Sequence, residues 1–165
     1  MTQNQKIDWD TYFIAQCFLV SMRSIDPSTK HGCVIVDEYN RILATGYNGP
    51  IAGVDDSTVP LTRPEKYPHL PHAEENALLS LNYAKLPHAK IYITGEPCHK
   101  CLRMILQKGI RHIVYGPQTS KMIDEQEKAA CSLMIRQTNP IYREYTDLEK
   151  LRNFSLSVYD RISDF

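Results

Sequence analysis

A chain of 165 residues with 42% apolar and 23% charged residues has the composition of an ordinary soluble globular protein, long enough to bury a real core. Lysine plus arginine equals aspartate plus glutamate at 19 each, so no overall field draws nucleic acid or membrane, and neither is expected as a partner. Five cysteines, an odd number without framework spacing, argue against a secreted disulfide scaffold. With no apolar signal core in MTQNQKIDWD and no run of membrane-spanning length, a cytoplasmic protein with reduced thiols is expected.

No repeat or linker divides the chain, which reads as a single domain over residues 1–165. The run DWDTYFIAQCFLVSMRS places Trp9, Phe13, Cys17 and Val20 at helical spacing, with Asp8 as its cap and Asp26-Pro27 as its stop. GCVIV (32–36) and RILATGY (41–47) are β-rich and joined by the turn-like DEYN, a hairpin pattern. From Asn48 to Pro71 the chain carries five of its ten prolines, the signature of a stiff, shaped loop. A helix (about 72–84), a strand (90–95), a helix (about 98–108), a strand (112–116) and a helix (around 123–136) follow, and the tail LEKLRNFSLSVYDRI is helical in pattern. Strands alternating with helices after a hairpin imply an α/β fold, a mixed sheet covered on both faces.

Chemistry concentrates in two short stretches. Cys98 and Cys101 form Cys-x-x-Cys at a helix start, which alone fits a redox dithiol, half of a structural zinc site or part of a catalytic one. No second Cys-x-x-Cys completes a four-thiolate site, while His72 stands at another helix start about 26 residues upstream. Two thiolates and one imidazole leave a tetrahedral position open, the arrangement of catalytic zinc. An open zinc site activates water near neutral pH. Glu74, two residues from His72, is placed to carry the proton. H-x-E followed by P-C-x-x-C is the pattern of zinc nucleobase deaminases, and His72-Ala73-Glu74 with Pro97-Cys98-His99-Lys100-Cys101 has it in full. His31, His69, His88 and His112 read as surface or packing residues, and His99 as a neighbour that points away from the metal.

The chain resembles the deoxycytidylate (dCMP) deaminase family of the cytidine deaminase superfamily from about Ile7 to Tyr115. The likeness is carried by WDTYFIAQCFLVSMRSIDPSTKHGCVIV, ATGYNG (44–49), Asp55-Asp56, RPEKYP ahead of HAEENA, and GEPCHKC with QKGI. It implies a three-layer α/β/α fold with a mixed five-stranded sheet and hydrolysis of dCMP to dUMP and ammonia, supplying thymidylate synthesis. It further implies one catalytic Zn2+ on His72, Cys98 and Cys101, Glu74 as proton shuttle, and Asn48 of GYNG at the sugar. Ala73 and Tyr115 are further implied substrate contacts. Arg63 and Lys66 are candidates for the 5′-phosphate. Homo-oligomers, commonly hexamers, with dCTP (accompanied by Mg2+) and dTTP as effectors belong to the same resemblance. Two departures stand out: Glu75 where familiar members carry Leu, and YGPQTSK (115–121), which lacks their later tyrosine. The rival readings are a deaminase of dCTP, cytidine, cytosine, guanine or tRNA adenosine, a non-catalytic nucleotide-sensing relative, and a zinc-stabilised interaction module. Retention of Glu74 and the open ligand set weigh against the last two.

Overall fold

The computed structural model describes residues 6–119 and 124–164. Helix α1 (Trp9–Ser21) begins as expected: Asp8 accepts from the Thr11 amide at 2.9 Å and from the Thr11 hydroxyl at 2.8 Å. It stops before Asp26-Pro27, because the chain tightens into i→i+3 bonds from Arg23 and Ser24. Ser24 then turns inward to donate to the Asn48 carbonyl at 2.6 Å. The hairpin follows, β1 (Gly32–Val36) and β2 (Ile42–Tyr47), antiparallel as its pattern implied. Its turn is held by Asp37, whose carboxylate accepts from the amides of Tyr39 and Arg41, and Asn40 takes the left-handed conformation at φ 62°.

The proline-rich stretch is an ordered loop with a 3-10 turn at Asp56–Thr58, capped by Asp55, and it buries Val59, Lys66 and Leu70. Helix α2 (Ala73–Leu79) is shorter than its apolar pattern suggested. The segment after it closes the C-terminus of the next helix, through Leu86 N–H to the Lys108 carbonyl at 2.7 Å and the Lys85 ammonium to the Gln107 carbonyl. Strand β3 (Lys90–Gly95), helix α3 (His99–Gln107) and strand β4 (His112–Gln118) stand close to their expected bounds. Helix α4 (Glu125–Thr138) is capped by Asp124 and ended by left-handed Asn139; residue 123 of the expected span lies outside the described residues, as do Ser120 and Lys121 of YGPQTSK. Strand β5 (Ile141–Glu144) has no clear signal of its own, being four residues long and mostly exposed. It exists because β4 offers an edge: the amides of Ile141 and Tyr145 bond to the carbonyls of Arg111 and Tyr115. Helix α5 (Leu148–Ser163) closes the chain.

The five strands order as β2-β1-β3-β4-β5, with β1 antiparallel to both neighbours and β3, β4 and β5 parallel. Alternation along β1 and β3 divides the core into two layers. Cys33, Ile35, Ile91 and Ile93 face Ala73, Ala77, Leu102 and Ile105 of α2 and α3, with α4 beyond. Val34, Val36 and Tyr92 face Phe13, Ile14 and Cys17 of α1, and Leu151 of α5. The expected mixed five-stranded sheet between helices is therefore what the chain forms. Among the described residues, no helix is long and apolar enough to cross a membrane.

Gly46 sets the position of α2. A Cβ at that residue would lie 2.2 Å from the Ala73 carbonyl oxygen and 2.5 Å from the Ala77 amide, so helix backbone rests directly on β2. Gly46→Ala should push α2 off the sheet and destabilise the fold by about 1–3 kcal/mol, the usual cost of overpacking. Urea unfolding reads that loss, and because Ala73 adjoins His72, metal retention should fall with it.

Candidate metal centre

Two helix N-termini converge above the sheet. His72 is the N-cap residue of α2 and Cys98 that of α3, with Cys101 in the first turn of α3. Neither His72 nor Cys98 uses its side chain to cap its own helix, so both are free to face one another. Nδ1 of His72 lies 3.5 Å from Cys98 Sγ and 3.4 Å from Cys101 Sγ, and the three donor atoms all fall within 4.8 Å of each other. A tetrahedral ion with zinc's bond lengths has an N···S edge of about 3.6 Å. The spacing is thus that of a ligand set. Two sulfurs and one imidazole suit zinc and leave one position open. No other such group occurs among the described residues.

Proton affinities at the three donors are tightly coupled. The Cys101 thiol, hydrogen-bonded to Cys98, and the His72 ring beside it hold Cys98 down at about 3 despite its burial. Cys101 is driven far above the ordinary thiol value by that same shared hydrogen bond and by burial. The hydrogen bond to Cys98 lifts His72 to about 8. Without metal, one thiolate, one thiol and an imidazolium occupy the site at neutral pH, so taking up a cation releases protons.

Glu74 is the second residue of α2 and is 5% exposed. Burial raises its carboxyl above the ordinary value, partly offset by the charge of His72, and it lies beside Cys101. A carboxyl with raised affinity next to an open ligand set can accept a proton and return it.

His72, Glu74 and Cys98 line a cavity of about 620 Å³, large enough for a small-molecule ligand. Asn48, Arg63, Lys66 and Ala73 share its wall with His72, Glu74 and Cys98. Asn48 is fully oriented: its Oδ1 accepts from the His31 amide at 2.7 Å, and its Nδ2 donates to Asp26 Oδ2 at 3.3 Å and to the Thr29 carbonyl at 3.0 Å. Both side-chain hydrogens are thereby engaged, and what remains is acceptor capacity on Oδ1.

Lys66 reaches the cavity wall already paired. Its ammonium, 3% exposed, lies 2.6 and 2.7 Å from the two carboxylate oxygens of Asp26, so it is neutralised in place rather than offered to an anion. Burial would raise the Asp26 carboxyl, but the hydrogen bonds from Lys66 and from the Ser28 and Thr29 amides outweigh it, and its pKa lies below the ordinary 3.8. Tyr115 lies apart from this wall. Its ring packs against Tyr142 with centroids 5.2 Å apart, and it is not among the residues lining the cavity. Arg63 is exposed at the cavity and donates to Thr29 Oγ1 at 3.2 Å.

Sequence reasoning did not find Asp26 and His31. Asp26 stood only as a helix stop; the one available signal was the run Asp26-Pro27-Ser28-Thr29, in which an Asp followed by small hydroxyl residues favours a side-chain-held turn, and Ser28 N–H indeed donates to Asp26 at 2.8 Å. His31 read as a surface or packing residue, marked only by its place in the stretch that carries the likeness. His99 also reaches the cavity, with Nδ1 3.0 Å from Glu127 of α4.

The family model of the cytidine and deoxycytidylate deaminase zinc-binding region matches residues 7–117. A deoxycytidylate deaminase of Mus musculus is 34% identical over 146 residues, which cover 85% of this chain and 81% of that protein. The deoxycytidylate deaminase of Homo sapiens is 32% identical over 145 residues, 84% of this chain and 80% of that one. Among solved structures, the dCMP deaminase of cyanophage S-TIM5 in complex with dCMP and dUMP shares the fold. Its TM-score is 0.68 at 22% identity, covering 86% of this chain and 100% of that one.

Because metal uptake displaces protons from Cys101 and His72, zinc affinity should rise with pH and fall steeply below about 8, the value of His72. Chelator competition across pH reads this directly, and Cys101→Ala should abolish stoichiometric zinc. Lys66→Met should cost about 3–5 kcal/mol at pH 7 by leaving Asp26 buried without its partner. The gap from wild type should shrink as pH falls through 3.8, where the unfolded carboxylate takes its proton, and on through the lower folded value. Denaturant melts at pH 7 and at about pH 3, below the unfolded value, test the sign.

Proposed function

The chain belongs to the cytidine and deoxycytidylate deaminase family, and from that membership we propose that it hydrolyses dCMP to dUMP and ammonia. The observation that carries this reading is a buried, proton-hungry Glu74 beside an open His72-Cys98-Cys101 ligand set, within a cavity of nucleotide size. Bound by these three residues, zinc supplies Lewis-acid activation of water at neutral pH. Glu74 takes a proton from the attacking water and delivers it to the ring nitrogen of cytosine; it then takes the proton of the new C4 hydroxyl and passes it to the amine, which departs as ammonia while the carbonyl forms. Ala73, the first residue of α2, presents only a methyl group at the wall, which leaves room for the base against the helix start. Asn48 receives a sugar hydroxyl on Oδ1, its remaining acceptor. Arg63 serves the phosphate as a planar, multidentate donor.

The wider family properties form part of the same proposal. The reaction supplies thymidylate synthesis in the cytoplasm. A homo-oligomer, a hexamer by resemblance, responds to dCTP with Mg2+ and to dTTP. Exposed Leu156, Val158, Tyr159 and Ile162 on α5 support self-association, since such apolar side chains grouped on one helix suit burial against a partner.

Ammonia release by metal-quantified protein against dCMP, dCTP, deoxycytidine, cytidine, cytosine, guanine and an adenosine-containing tRNA stem-loop tests the substrate. Selective turnover of dCMP is expected; turnover of another member with none on dCMP would discard the substrate and keep the metal chemistry. Glu74→Gln should retain zinc and lose turnover by at least about 100-fold, the scale of general acid-base catalysis. Wild-type rates in that variant would sink the proton-transfer role.

A further inference from the structure

His31 lies on the cavity wall immediately before β1. Its backbone is tied to Asn48 in both directions: its amide donates to Asn48 Oδ1 at 2.7 Å, and its carbonyl accepts from the Asn48 amide at 3.2 Å. The ring makes a separate contact, Nδ1 to Thr94 Oγ1 at 3.2 Å. Thr94 is fully buried, and its oxygen already receives the Gly32 amide at 3.2 Å. A buried hydroxyl proton needs an acceptor. Among the described residues, the acceptor that Thr94 meets is Nδ1 of His31. In a neutral ring this places the proton on Nε2; in a protonated ring both nitrogens are donors. Nε2 therefore carries a hydrogen in either state. It has no hydrogen-bond partner among the described residues and is not one of the buried atoms left without one, so it opens to solvent.

The surrounding wall decides what this donor meets. A phosphate needs several convergent donors, and Lys66 is engaged on both oxygens of Asp26. Asn48 has no free hydrogen to give, which suits a hydroxyl and not an anion. Arg63, by contrast, donates to Thr29 Oγ1, which brings its guanidinium beside the 29–31 segment. Two donors of different chemistry thus stand along one short stretch of the cavity wall.

We infer that His31 determines specificity for the 5′-phosphate of the nucleotide, donating from Nε2 to a phosphate oxygen beside Arg63. The inference rests on the deamination of a cytosine nucleotide proposed above and adds a discriminating residue to it.

The test compares zinc-loaded wild type, His31→Leu and His31→Gln for kcat/KM on dCMP and on deoxycytidine, with melting temperature as a check on folding. Leucine removes the donor, while glutamine keeps a side-chain N–H. The preference for dCMP over deoxycytidine should fall on the order of 10-fold or more in His31→Leu, mainly through KM, the scale of a hydrogen bond to a charged group. His31→Gln should retain more of it. Should His31→Leu fail to fold, His31→Val makes the same comparison. An unchanged preference, or a parallel loss on both substrates, would overturn the phosphate assignment while leaving the deaminase reading intact. A wild type that treats deoxycytidine and dCMP alike would overturn the nucleotide reading itself, before any variant is compared.

Discussion

Two helix starts held against each other above one sheet are the constraint on which this molecule depends. His72 and Cys98 are both N-cap residues, and neither side chain serves its own helix. Their 3.5 Å approach requires α2 to sit backbone-to-backbone on β2 at Gly46, and α3 to rise directly from the end of β3. A shift of either helix by a methyl group's width separates donor atoms that must share one ion. Rigid elements, not loops, therefore carry the chemistry, and close packing of α2 and α3 on the inner face of β1 and β3 holds them.

The second level of organisation is electrostatic. Asp26 links three parts of the chain: the segment after α1, Asn48 at the end of β2, and Lys66 in the proline-rich loop. A buried ion pair contributes little net stability compared with an apolar replacement, yet breaking it is costly. Its effect here is positional. It draws the long loop down over the cavity and orients Asn48, and it removes one cation from the pool that an anionic ligand could use. Thr94 similarly ties down the His31 ring, its Oγ1 lying 3.2 Å from Nδ1. The cavity wall is built from side chains whose donors and acceptors are already assigned.

Amino-acid order alone determined much of this. Periodicity marked α1, the hairpin and the alternating strands and helices, because apolar residues must recur at 3.6 or 2 positions to reach a core. The clustering of His72, Cys98 and Cys101 was legible because a metal takes particular donor atoms, and the sequence spells those residue types in a recognisable spacing. The edge strand β5 was not legible from its own residues: four mostly exposed positions owe their pairing to the open edge of β4. Only tertiary structure decided that Lys66 is neutralised by Asp26, 40 positions away, that Tyr115 packs on Tyr142, and that His31 faces the cavity. Charge, aromaticity and titratability belong to a residue type and can be read in one dimension; which neighbour satisfies them is set by contacts between distant segments, which exist only once the chain has folded.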